Sequence, residues 1–138
     1  EIFDLLLKDY VAPAKALAAL QATSVPDMMP YECAYVEHNA TAASVCYPLS
    51  DYEAHLSCAV DALRVPESLT VIRKKKEKTI VVGEYLHGEV QVEGDTVRFT
   101  LEAKPTGSLR PDLLLSACLE ESGSPATITS ITRVAQRA

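Results

Sequence analysis

The stretch Gly107-Ser108-Leu109-Arg110-Pro111-Asp112-Leu113-Leu114-Leu115 reads as the opening of a helix, and its place between two strand-like stretches decides the fold. Pro111 presets φ for a first helical turn, where a missing N–H costs nothing. Asp112 sets negative charge near the positive end of the helix dipole. The helix is expected to run to about Glu121, with Leu114, Ala117 and Cys118 facing inward and Gly123 as its C-terminal cap.

Working outward, Thr127 to Val134 is a β-rich stretch that closes the chain as a strand. On the other side, Val90-Gln91-Val92 and Val97 to Leu101 flank Glu93-Gly94-Asp95-Thr96, where Gly94 offers the positive φ of a tight hairpin. Leu69 to Ile72 and Thr79 to Val82 are strand segments around the charged turn Arg73-Lys74-Lys75-Lys76-Glu77-Lys78. Asp51 to Leu56 alternates as a strand, and a short helix is expected from there to Leu63. Further back, residues 1–8 alternate as a strand, Pro13 opens an Ala- and Leu-rich helix, and Tyr31 to Glu37 reads as the returning strand. The order predicts an α+β fold: two ferredoxin-like β-α-β halves, the first incomplete, with helices on a mostly antiparallel sheet. Residues 1–40 would be the remnant of the first half, 41–50 a connector in which Thr41 to Cys46 spans one helical turn, and 51–138 the second half.

The 138 residues suit one domain or two very small ones. With 13 basic against 19 acidic residues, the net charge of −6 opposes general attraction to phosphate backbones. There is no apolar run long enough to span a membrane and no signal-peptide pattern, which predicts a cytoplasmic protein. Cys33, Cys46, Cys58 and Cys118 form no C-x-x-C pair, so neither a structural metal site nor disulfides are expected, and the thiols read as small hydrophobes. No P-loop, G-x-G-x-x-G or H-E-x-x-H motif is present, so no cofactor and no catalytic residue is assigned.

Two groups of residues are candidate binding sites. Ser108 and Arg110, beside the helix N-terminus and the Gly107-Ser108 amides, could hold an anion such as phosphate or carboxylate; the alternative is a structural Arg that pairs with an acid or caps a strand carbonyl. Arg73, Lys74, Lys75, Lys76 and Lys78 hold five of the chain's basic residues within six positions. That run could steer RNA or an acidic partner surface to the hairpin, or simply protect a strand end from aggregation. His55 and Cys58, at i and i+3, form a thiolate pair only if their segment is helical, and Tyr10, Tyr52 and Tyr85 read as sheet and edge packing.

These elements resemble, in order and over nearly the whole chain, the bacterial radical SAM-associated family called domain of unknown function 2344. The resemblance is carried by Phe3 to Leu7 before a Pro-started helix, by Pro30 to Glu37, and by Asp51-Tyr52-Glu53. It is closest at Thr106 to Leu114, which is similar to the family's Gly-Ser-x-Arg-Pro-Asp-x-Leu-Leu motif. Between Thr79 and Leu86 the family's Asp and Arg-Pro are replaced by Val81, Gly83 and Glu84, although Tyr85 remains. The resemblance implies that a further strand, helix and strand precede Glu1. It also implies an accessory or substrate-presenting domain that works with a cobalamin-binding radical SAM protein. A module binding RNA through its sheet face and the Arg73–Lys78 hairpin is the alternative. A strand edge left open by a missing leading segment would favour a homodimer.

Overall fold

The computed structural model describes all residues, Glu1–Ala138. The fold is α+β, with three α-helices, a four-stranded antiparallel sheet and a separate two-stranded sheet. The chain divides into two compact units, residues 3–42 in one and Glu1–Ile2 with residues 43–138 in the other.

The larger unit contains a short helix α2 (Ala43–Cys46) and six strands: β1 (Leu49–Leu56), β2 (Ser68–Arg73), β3 (Lys76–Val81), β4 (Leu86–Glu93), β5 (Thr96–Glu102) and β6 (Ile128–Arg137). Helix α3 (Pro111–Glu121) lies between β5 and β6 in sequence. The main sheet has the order β4-β5-β1-β6, so β1 sits between the two strands that α3 connects. Every neighbouring pair is antiparallel. This is the strand order of one ferredoxin-like β-α-β-β-α-β sheet, with the β2–β3 hairpin standing where the first crossover helix would be.

The main sheet buries one face. Tyr52, Ala54 and Leu56 of β1 and Val97, Phe99 and Leu101 of β5 alternate inward, as the two-residue period of a half-buried strand requires. Tyr52 and Phe99 are direct cross-strand partners, their rings stacked at 5.5 Å between centroids. Against this face lie Leu114, Leu115, Cys118 and Leu119 of α3 and Val71 and Ile80 of the hairpin. Ala117, expected to face inward, is only half-buried, and Leu115 and Leu119 take the inward positions beside Leu114 and Cys118. Two leucines bury more apolar surface than one alanine.

Helix α3 starts at Pro111 as expected and ends in a Schellman motif. Gly123 has φ +62°, its N–H donates to the Glu120 carbonyl at 3.0 Å, and the Ser124 N–H donates to the Leu119 carbonyl at 3.0 Å. The β4–β5 hairpin closes with Gly94 at φ +63°. The expected helix to Leu63 is absent, because the amides it would need are engaged elsewhere. Leu56 N–H donates to the Asp95 carbonyl, Ser57 N–H to the Thr127 carbonyl and Val60 N–H to the Gly94 carbonyl. Val60 and Leu63 still pack on the core as irregular chain.

In residues 3–42, helix α1 (Pro13–Thr23) opens at Pro13. It ends where the hydroxyls of Thr23 and Ser24 donate to the Ala19 and Leu20 carbonyls. A 3₁₀ turn follows at Pro26–Met28, the Gln21 side chain donates to the Pro30 carbonyl at 3.0 Å, and Tyr10 meets Tyr35 edge-on at 6.1 Å. The strands expected at residues 1–8 and 31–37 do not form, so the incomplete first ferredoxin-like half is a helix with extended flanks rather than a β-α-β unit. Alternation makes a stretch fit for a sheet, but a ladder needs a neighbour, and neither stretch pairs with another strand. No residue of this unit is buried: Leu6 is 89% exposed and Tyr31 84%, with Phe3, Tyr10 and Met28 also exposed.

The β2–β3 hairpin turns through two residues, Lys74 at φ +49° and Lys75 at φ +63°, between the paired Arg73 and Lys76. Both central positions of such a turn favour Asn and Gly, because a Cβ is strained at positive φ. The double variant Lys74→Asn/Lys75→Gly is expected to raise unfolding stability by about 1 kcal/mol, read from urea denaturation. A fall in stability would mean that the lysines are not held in this turn.

Candidate functional site

The face of the main sheet turned away from the core is polar, and it is built by the strand alternation that builds the core. Asp51, Glu53 and His55 of β1 stand opposite Thr100, Arg98 and Thr96 of β5. Arg137 of β6 grips Asp51 with two guanidinium donors at 2.8 and 3.2 Å, and the Thr100 hydroxyl donates to the same carboxylate at 2.6 Å. Arg98 donates to Glu53 at 3.0 Å and to Glu93 at 3.3 Å, while His55 lies 3.2 Å from Glu53 and 3.4 Å from the Thr96 hydroxyl. A shallow depression of about 320 Å³ opens on this face where β4 departs from regular pairing between His87 and Gln91, with Asp51, Arg98 and Arg137 on its rim. None of this network was singled out from the sequence. The signal was there in the alternating polar positions of residues 51–55 and 96–100, but which acid meets which base depends on strand register.

The hydrogen bonds of Arg137 first, and that of Thr100 second, hold the Asp51 carboxyl below the usual carboxylate range. Burial pushes the Cys118 thiol up to about 11, so it stays protonated and unreactive within the core. No disulfide joins the four cysteines. His55 and Cys58 form no thiolate pair, since the chain is not helical there and His55 faces Glu53 and Thr96. No group of three or more His, Cys, Asp or Glu side chains is placed to hold a metal ion.

The residues singled out from the sequence fall into three places. Arg110 is exposed, and its guanidinium turns back onto Asp112 of the first helical turn at 3.0 and 2.8 Å. It caps no backbone amide of α3, so the pairing alternative describes its contacts. Arg73, Lys74, Lys75 and Lys76 form the exposed end of the β2–β3 hairpin and make no ion pair. Lys78 is different. From β3 it reaches the loop before α3, where a Cβ added at Gly107 would stand 3.8 Å from its Nζ and 3.4 Å from the Tyr85 hydroxyl. The structure thus brings Lys78 to the turn that carries Ser108, two candidates thirty positions apart in sequence, and adds Tyr85 to them.

Compared with known proteins, the chain matches no family model, no curated protein and no solved structure. No helix is long and apolar enough to cross a membrane.

The depressed Asp51 pKa has a defined consequence for stability. A carboxyl with a lower pKa when folded stabilises the native state fully above its unfolded pKa of about 3.9 and progressively less as pH falls through the folded value. Asp51→Asn is therefore expected to lower the melting temperature at neutral pH and to make little difference near pH 2, giving a flatter acid limb in melting curves. Parallel curves for the variant and the parent would contradict the assignment.

Proposed function

We propose that this chain is a non-catalytic accessory domain that docks a cobalamin-binding radical SAM protein, or presents that protein's substrate, in the cytoplasm. The observation that carries the reading is the apolar surface of residues 3–42, where Phe3, Leu6, Tyr10, Met28 and Tyr31 lie exposed and no residue is buried. Exposed apolar surface on this scale marks a place where another surface is covered. The partner's identity rests on the sequence resemblance at Thr106 to Leu114.

RNA binding is the second reading, and the unpaired cations Arg73, Lys74, Lys75 and Lys76 favour it. The sheet face speaks against the mode that needs stacking. The outward positions of its two central strands carry Asp51, Glu53, His55, Thr96, Arg98 and Thr100, with no Phe, Tyr or Trp ring for a base, and the imidazole of His55 lies 3.2 Å from Glu53. Docking of a protein partner therefore stands as the conclusion.

The test is direct binding between the purified chain and a cobalamin-binding radical SAM protein from the same organism. Leu6→Asp and Tyr31→Asp should each weaken association about tenfold or more, while circular dichroism and the melting of residues 43–138 stay unchanged. No association of the intact chain, or full affinity in the double variant, would remove the proposal.

A further inference from the structure

We propose that the corner where β3 meets the loop before α3 binds the phosphoryl group of a small phosphate monoester, with Lys78 Nζ and Tyr85 Oη as donors and Gly107 leaving the space open. The proposal stands independently of the partner reading, since every residue in it belongs to residues 43–138.

Gly107 is fixed in place. It exchanges backbone hydrogen bonds with Lys104 across a tight turn, at 2.9 and 3.0 Å, and has φ +153°, where a side chain is strained. The space a Cβ would enter is bounded by Tyr85 Oη at 3.4 Å and Lys78 Nζ at 3.8 Å. A glycine here keeps two hydrogen-bond donors facing one small volume.

Tyr85 supplies the independent sign of a ligand. The residue is only 7% exposed, yet its hydroxyl makes no hydrogen bond within the chain. Buried phenols normally find a partner. No fully enclosed side-chain polar atom lacks one in this chain, so Oη reaches the surface, and a Cβ at Gly107 would stand 3.4 Å from it. The ring itself is held firmly: Tyr85 N–H donates to the Val82 carbonyl at 3.0 Å, and its carbonyl accepts from Glu102 N–H at 2.8 Å. Lys78 makes no ion pair. Ser108, the next residue after Gly107, adds an exposed hydroxyl without a hydrogen bond in the chain.

The donor chemistry selects the anion. A planar carboxylate is matched best by the two-pronged guanidinium of Arg, and Arg110 is already engaged by Asp112. An ammonium, a phenol and a hydroxyl are separate single donors, which suit the several oxygens of a tetrahedral phosphoryl group. Lys78 and Ser108 are exposed, which leaves room for the ester substituent.

The experiment is an NMR titration of the full chain at constant ionic strength with inorganic phosphate, glycerol phosphate and acetate in parallel. Saturable shifts are expected at Tyr85, Gly107 and Ser108, with glycerol phosphate at least as tight as inorganic phosphate and acetate clearly weaker. Lys78→Gln should weaken binding about tenfold and Tyr85→Phe about threefold or more. Gly107→Ala places a methyl in the cradle and should abolish binding; Tyr85→Phe keeps the core packing and decides the matter if that variant fails to fold. Four results would each overturn the proposal: shifts that grow linearly without saturation or centre on Arg110, acetate binding as tightly as phosphate, inorganic phosphate binding without the monoester, or both Lys78→Gln and Tyr85→Phe retaining full affinity.

Discussion

Burial of α3 and the β2–β3 hairpin against one face of the β4-β5-β1-β6 sheet is the constraint on which the rest of the structure depends. Ala54, Val97 and Cys118 are completely enclosed there, and Leu114 and Leu115 nearly so. A truncation such as Leu114 to alanine typically costs about 2–5 kcal/mol at such a site, a large share of a small domain's stability. Once that face is committed to the core, alternation sends Asp51, Glu53 and His55 to the opposite side, where they meet Arg98, Thr96 and Thr100. The ion-pair face is thus a consequence of the packing. Its exposed pairs contribute little individually.

The same packing creates the corner at Gly107. The hairpin lies over the sheet where a crossover helix would stand in a ferredoxin-like arrangement, and this brings Lys78 beside the loop that leads into α3. Tyr85 occupies the short connection after β3, its ring among the core residues and its hydroxyl at the rim. The hairpin and the connection that follows it therefore each carry one donor to a turn that a glycine keeps open.

Local signals made much of the larger unit legible. Pro111 and Gly123 bracketed α3, Gly94 marked the β4–β5 turn, and the β-branched runs at Leu69 to Ile72 and Thr79 to Val82 marked the hairpin; each is decided within a few residues. What the sequence misreported were choices made by distant partners. The stretch 57–63 has helical spacing, yet Ser57 and Val60 bond to Thr127 and Gly94. Residues 1–8 and 31–37 alternate as strands but have no ladder to join. The site was legible only in fragments: the cationic run and Ser108 were visible as separate features, whereas the meeting of Lys78, Tyr85 and Gly107 depends on tertiary packing. Arg110 was legible as an acid-pairing Arg, since its partner Asp112 stands two residues away in sequence.

The central claim is that residues 43–138 hold the buried core while residues 3–42 contribute no buried residue and leave their apolar side chains exposed. Native-state hydrogen exchange tests it most directly, because amide protection follows local burial and pairing. The account predicts the strongest protection in Leu49–Leu56, Thr96–Glu102 and the interior of Pro111–Glu121, and almost none in residues 3–12 and 31–37. Protection in those two stretches equal to that of Leu49–Leu56 would mean that they are paired strands within a shared core, and would contradict it.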